Sequence, residues 1–259
     1  MWTHKAWAWR GLAAYAEQCN AVEGNTTFYA TPSRETVASW ARQTDPAFRM
    51  VLKLPRAVTH EYRLAGGAEE LRAFLDAIEP LGPRAHALWI QLPASFGPSD
   101  VPALGSFLRR LPAAYRYAVE VRHPAFFQPG TDLAGVLRET GAEWVPFDTT
   151  AFFDTPPTSD AERDAWTKKP RTPLRTEALT ERPIVRYLGR DDPARTVAGW
   201  RHWVGVAAEW LREGRSPTFF IHTPDNAGAP RLAREFHAAV RAEVPGLAPL
   251  PEPEPLTLF

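Results

Sequence analysis

The chain has 259 residues, 44% of them hydrophobic and ten of them tryptophan. That is enough for one α/β barrel of about 250 residues with a large core, and it excludes a disordered chain. Thirty Lys and Arg balance thirty Asp and Glu, so the formal net charge is zero, which excludes a global attraction to nucleic acid or to an anionic membrane and leaves anion binding to local clusters. Cys19 is the single cysteine, which excludes intramolecular disulfides and cysteine-built metal clusters, and its strand-like setting suits a buried thiol. No run is long and apolar enough to span a bilayer and no signal-peptide core is seen at the start, so a cytoplasmic location is expected.

In chain order, seven short apolar runs each stop on a charged or strongly polar residue: Cys19 to Glu23, Phe48 to Lys53, Ala87 to Gln91, Tyr117 to Arg122, Trp144 to Asp148, Ile184 to Arg186 and Thr218 to His222. Helical periodicity fills the intervals. Thr31 and Pro32 offer an N-cap and first-turn proline before Val37, Trp40 and Ala41, and Leu71, Phe74, Leu75 and Ile78 form the next stripe. Leu104, Phe107, Leu108 and Leu111 repeat the pattern, as do Trp200, Trp203, Ala207 and Trp210. Leu232, Phe236 and Val240 mark the last helix, which Pro230 can open. Strands alternating with helices predict parallel βα units. The expected fold is therefore a single α/β domain of parallel βα units over residues 1–246, of a length that suits a (β/α) barrel, followed by a flexible proline-rich tail over 247–259.

Two places break the rhythm. From Asp154 to Arg182 the chain is rich in proline and charge, with Lys168, Lys169, Arg171 and Arg175 close together. It follows the strand ending at Asp148, so it should overhang the strand C-termini, as a lid or as a solvated loop. At the start, Met1 to Lys5 looks like the loop after a first strand, so that strand is expected to be missing or truncated.

The strings themselves identify a family. Asn20 to Tyr29 (NAVEGNTTFY), Lys53-Leu54-Pro55-Arg56 with Thr59-His60, Gln91-Leu92-Pro93, Val119 to Pro124 (VEVRHP) and His222 to Asn226 (HTPDN) resemble the domain-of-unknown-function 72 family, in its YecE-like branch. The resemblance implies a TIM-barrel-like fold from Trp2 to about Val244 and implies no settled activity.

Ligands of such barrels meet side chains at the strand C-termini. Alternation puts Ala118, Glu120 and Arg122 on one strand face, and the same argument brings Glu23, Lys53, Gln91, Asp148, Arg186 and His222 towards the mouth. Asn25, His123, Asp225 and Asn226 lie just beyond on the loops. Buried charges need partners, so a network that only positions strands is the structural alternative. Lys53, Arg122 and Arg186 favour an anionic ligand carrying phosphate or carboxylate. Glu120 and Glu23 are the candidate acid and base, given environments that separate their pKa values, and His222 the proton-transfer assistant.

A divalent metal would draw on Glu23, Glu120, Asp148 and His222 with His60 or His123, but the cations already offer the carboxylates partners and no HExxH spacing occurs. Leu256, Leu258 and Phe259 end the chain in a manner similar to the short peptides with which bacterial replication and repair proteins hold the DNA sliding clamp. Two functions follow as expectations. One is an enzyme binding an anionic sugar or sugar phosphate, a hydrolase or lyase at a phosphodiester or glycosidic bond. The other is a non-catalytic module binding nucleic acid or protein, recruited to DNA machinery through the tail.

Overall fold

The computed structural model describes residues 11–250. The loop-like Met1 to Lys5 and the terminal Leu256, Leu258 and Phe259 lie outside the described residues. A short helix, α1 (Gly11–Ala16), leads into β1 (Ala21–Gly24), the single-turn α2 (Thr26–Tyr29) and α3 (Arg34–Arg42). Then come β2 (Arg49–Lys53), a π-helical turn (Ala57–Glu61) and α4 (Ala68–Ile78), followed by β3 (Ala85–Gln91) with α5 (Val101–Arg110) and β4 (Tyr117–Glu120) with α6 (Leu133–Thr140). The second half holds β5 (Glu143–Trp144), β6 (Phe147–Asp148), α7 (Thr150–Phe153), α8 (Asp160–Trp166), β7 (Ile184–Leu188), α9 (Pro193–Arg212), β8 (Thr218–His222) and α10 (Ala229–Glu243).

The helices start where capping chemistry places them. Ser33, rather than Thr31, caps α3: its backbone is extended and its hydroxyl accepts from Thr36 N at 3.1 Å, so Thr31 and Pro32 stay outside the helix. Asp192 caps α9 by accepting from Ala194 N at 2.8 Å, with Pro193 in the first turn where its missing N–H costs nothing. Gly141 ends α6 at φ 69°, the left-handed conformation that favours glycine.

All strand pairs are parallel, in the orders β1-β2-β3-β4-β5 and β6-β7-β8. The single run predicted from Trp144 to Asp148 is broken in two because Pro146 has no N–H to donate. Val145 N still donates to Val119 O on the β4 side, while Pro146 O accepts from Arg186 N on the β7 side, both at 2.9 Å. The broken strand thus joins the two sheets. Among the described residues, β1 and β8 share no strand pairing, so the described strands do not by themselves close a barrel. Side chains bridge this seam instead: His222 Nε2 lies 2.9 Å from Glu23 Oε2 at the top, and Arg49 donates to Pro217 O (3.1 Å) and Thr218 Oγ1 (2.8 Å) at the bottom. A cavity of about 490 Å3 runs along it, lined by Tyr15, Val22, Phe219 and Phe236 and ending on Asn25 and His222.

The barrel interior is apolar below and charged above. Ala21, Val51, Ala87, Trp89, Ala118, Val145, Ile184 and Phe220 fill its lower layer. Alanines on three strands leave room for the stacked rings of Trp89 and Phe220, whose centroids are 6.0 Å apart. The outer shell seals strands to helices, with Trp200, Trp203, Phe236 and Val240 locking α9 and α10 onto β7 and β8. Each such fully buried large side chain contributes about 1.5–3 kcal/mol.

Candidate functional site

Two-residue alternation carries one polar side chain from nearly every strand to the C-terminal opening. Glu23 comes from β1, Lys53 from β2, Gln91 from β3, Glu120 from β4, Arg186 from β7 and His222 from β8, with Arg122 just past β4. They form one connected network. Lys53 Nζ lies 2.8 Å from Glu23 Oε1 and donates to Gln91 Oε1 at 2.8 Å. The Arg186 guanidinium stands between the two carboxylates, 3.4 Å from Glu23 Oε1 and 3.4 Å from Glu120 Oε2. Arg122 grips Glu120 Oε1 through Nε and a terminal nitrogen, each at 2.8 Å. Glu120 is 0% exposed, whereas the Arg122 side chain keeps 22% of its surface in solvent and forms the outer rim of the cluster.

The floor under this network is aromatic. Lys53 Nζ sits 5.2 Å above the Trp89 ring, and the Arg186 guanidinium is 4.4 Å from the Phe147 ring and 5.8 Å from Trp89. Arg186 Nε and the Trp89 indole N–H are buried donors with no hydrogen-bond partner among the described residues. Trp89 precedes Gln91 by two residues, so the alternation that selected Gln91 already pointed to it.

Burial alone would raise both carboxyls, but the neighbouring cations outweigh it: Arg186, Lys53 and His222 hold Glu23 well below the usual range, and Arg122, Arg186 and Lys53 lower Glu120. Both are ionised at neutral pH. Burial lowers Lys53, with Arg186 adding to the effect and Glu23 opposing it. Burial also lowers His222, against the pull of Glu23. His222 nonetheless faces acceptors on both sides, Glu23 Oε2 at 2.9 Å and Asn226 Oδ1 at 3.0 Å, which is the arrangement an imidazolium needs.

The segment after β6 adds a residue that strand periodicity could not supply. It is tied down at several points: Thr149 Oγ1 donates to Pro170 O at 3.1 Å, Thr172 Oγ1 donates to Phe147 O, and Glu143 accepts from Leu179 N at 3.0 Å and Thr180 N at 2.9 Å. The buried pair of Arg190 and Glu162 anchors its first half. Of the four basic side chains between Lys168 and Arg175, three are used locally: Lys168 pairs with Asp164, Arg171 stacks on Phe153 at 4.4 Å, and Arg175 on Trp144 at 4.4 Å. Lys169 instead comes within electrostatic reach of Arg186, Glu23, Arg122 and Lys53, and burial together with these cations pushes it down to about 8. Among the described residues its side chain has no hydrogen bond or ion pair.

The other predicted residues are placed differently. Asp148 is not brought to the mouth. Val145 lies in the inner layer, so the alternation gives Phe147 the inner face and turns Asp148 to α9, where it accepts from Trp203 Nε1 at 2.7 Å and from Thr150 N at 2.9 Å. Asp225 stabilises its own turn, accepting from Ala227 N at 2.8 Å. Asn226, at φ 58°, orients His222 and accepts from Thr223 N at 3.1 Å. His123 accepts from Ala125 N at 3.2 Å and so shapes the loop after β4. Asn25 makes no capping hydrogen bond and lines the seam cavity beside Glu23. His60 packs its ring edgewise on Phe28 at 5.0 Å and is pushed down to about 4 by burial and by Arg122, Arg56 and Lys53. Among the described residues, no group of three or more His, Cys, Asp and Glu side chains could hold a metal ion.

The family model described as "Protein of unknown function DUF72" matches residues 1–255. The UPF0759 protein YecE of Escherichia coli, from strain K12 and from O157:H7, is 37% identical over 265 residues, which cover 100% of this chain and 97% of the relative. The chain belongs to the DUF72 family. The fold has solved counterparts in it. A DUF72 family protein from Enterococcus faecalis V583 superposes with a TM-score of 0.69 at 18% identity, over 95% of this chain and 92% of that one. One from Thermotoga maritima MSB8 gives 0.64 at 22% identity, over 91% and 88%. These likenesses show an α/β, TIM-barrel-like fold, and DUF72 membership names no reaction. No helix among the described residues is long and apolar enough to cross a membrane.

Proposed function

We propose that the mouth binds an anionic sugar or sugar phosphate. The observation that carries this reading is the charge count around it: four cations, Lys53, Arg122, Arg186 and Lys169, surround two ionised carboxylates, Glu23 and Glu120. A network that only positioned strands would need two cations to balance two buried carboxylates. The surplus sits at the solvent side, on half-buried Arg122 and Lys169, where an incoming phosphate or carboxylate would restore neutrality. The chemistry this equips is cleavage of a phosphodiester or glycosidic bond. Glu120 and Glu23 are then the bases, and His222, already in contact with Glu23, carries the proton.

Calorimetric titration of the purified protein with ribose 5-phosphate and with ribose tests the binding. We expect a ribose 5-phosphate affinity that weakens roughly tenfold or more in Arg122→Ala and again in Lys169→Ala. Equal affinity for the sugar with and without its phosphate, or none for either, removes the reading. In any cleavage assay, Glu120→Gln should keep binding and lose turnover.

A further inference from the structure

The polar mouth continues on one side into a surface that anion binding does not use. The turn after β1 presents Tyr29, which is 77% exposed, the largest exposure among the large hydrophobic residues described. Tyr29 is not loose. Its ring meets Phe28 edge-on, with centroids 5.2 Å apart, and Phe28 meets His60 edge-on at 5.0 Å. Phe28 itself is buried beside β1, and Thr27 Oγ1 pins the same turn by donating to Lys53 O at 2.7 Å and Gly24 O at 3.0 Å. The π-helical turn that carries His60 is tied to β2 through Val58 N donating to Pro55 O at 3.0 Å. A ladder of rings therefore runs from His60, within electrostatic reach of Arg122 and Lys53, outward to a solvent-facing tyrosine. Two neighbouring polar groups are unspent: the Thr26 hydroxyl is buried without a hydrogen-bond partner, and the Asn25 side chain makes no capping bond.

We propose that this rim, Asn25, Thr26, Tyr29 and His60, is a base-binding subsite, so that the ligand of the mouth is a nucleotide unit whose base stacks on Tyr29 while its phosphate meets Arg122 and Lys169. The proposal rests on the anion-binding reading and narrows it. A sugar phosphate without a base has no use for the exposed Tyr29 ring, whereas the base of a nucleotide would cover it. Stacking suits the geometry, because a rigid, pre-oriented aromatic gains contact area at little entropic cost, and every base has a π face. The Asn25 amide can meet a base edge.

Isothermal titration with ribose 5-phosphate, adenosine 5′-monophosphate and a four-residue oligothymidylate, each against the wild type, Tyr29→Ala and Tyr29→Phe, tests it. Tyr29 is exposed, so both variants fold. The expected result is that the mononucleotide binds wild type about 5- to 100-fold more tightly than ribose 5-phosphate, that Tyr29→Ala abolishes this difference while leaving ribose 5-phosphate affinity unchanged, and that Tyr29→Phe restores it. Tighter binding of the oligonucleotide than of the mononucleotide identifies single-stranded nucleic acid as the source of the base, and the reverse identifies free nucleotides. Ribose 5-phosphate binding with no gain from a base, or a gain that survives Tyr29→Ala, overturns the subsite and leaves the anion reading standing. No binding by any probe overturns both.

Discussion

Lys169 makes the proposed anion site titratable in the range where a phosphate ligand is not. The lysine is held near 8 by burial and by Arg186, so it is charged at pH 7 and mostly neutral at pH 9. A phosphate monoester, with a second pKa of about 6, stays dianionic across that span. A half-buried charge in contact with the ligand lies between the bulk-water and near-surface values of Coulomb's law, which at about 4 Å are about 1 and about 4 kcal/mol, so about 1.4–2.8 kcal/mol, or about 10- to 100-fold, is expected. By linkage the bound lysine then titrates about one to two units higher, and ribose 5-phosphate affinity falls about 5- to 10-fold from pH 7 to pH 9. Calorimetric titrations at constant ionic strength measure it. Lys169→Met should bind about 10-fold or more weakly at pH 7 and show no fall to pH 9. Lys169→Arg should bind well and stay flat, since its charge does not titrate there. A flat wild-type profile, or a slope that persists in Lys169→Met, refutes the placement of Lys169 against the ligand.

The same lysine has a stability consequence of opposite sense. Its folded pKa of about 8 lies below the ordinary 10.5, so the unfolded chain binds more protons between those values and stability rises with pH across that window. Lys169→Met should accordingly raise the pH 7 unfolding midpoint in urea. Arg190 is 2% exposed and grips Glu162 by bonds of 3.0 and 2.6 Å, so Arg190→Met strands a buried carboxylate, at a cost of about 3–5 kcal/mol, and should expose the 154–182 segment to limited proteolysis. Glu162 is lowered to about 2 in the folded protein, burial being overcome by Arg190 and backbone donors. That contribution is complete above about pH 4.5 and disappears as pH falls towards 2, so acid melts of wild type should steepen in that window and those of Arg190→Met should not. Asp148→Asn replaces an acceptor facing the Trp203 N–H and should lose about 1–3 kcal/mol in a denaturant melt, with ribose 5-phosphate affinity unchanged within about twofold.

The strand ends could be read from sequence because a buried parallel strand is a short apolar run, and its inward alternation ends where solvent begins. Glu23, Lys53, Gln91, Glu120, Arg186 and His222 all obey that single rule, and they are the residues that meet. Asp148 departs from the set by parity: Val145 lies in the inner layer, so counting by twos through Pro146 puts Phe147 inside and Asp148 outside. Thr31, Pro32 and Ser33 all suit a helix start, and only backbone geometry selects Ser33. Lys169 is one of four basic residues between Lys168 and Arg175, and nothing local distinguishes it from Lys168. The choice is made by tertiary anchors at Thr149 and Glu143, which set which side chains face the barrel. Tyr29 was legible as an aromatic residue but not as an exposed one, since exposure depends on Phe28 taking the inner position of the same turn.

The ionised state of both carboxylates constrains any cleavage mechanism. A glycosidase-like pair divides its labour by raising one carboxyl above the other, and here Glu23 and Glu120 are both lowered by shared cations. The acid must therefore come from elsewhere, and His222 is the group that ligand binding itself would charge. Its protonation is opposed by burial, Arg186 and Lys169. A bound anion engaging those cations screens them from the imidazole, while the acceptors at Glu23 Oε2 and Asn226 Oδ1 already await its two N–H groups. Ligand binding near neutral pH should then draw in a proton, detectable as a dependence of calorimetric enthalpy on the ionisation enthalpy of the buffer. Loss of that dependence in His222→Gln assigns the proton to this side chain, and a wild-type enthalpy that is the same in every buffer denies His222 the role.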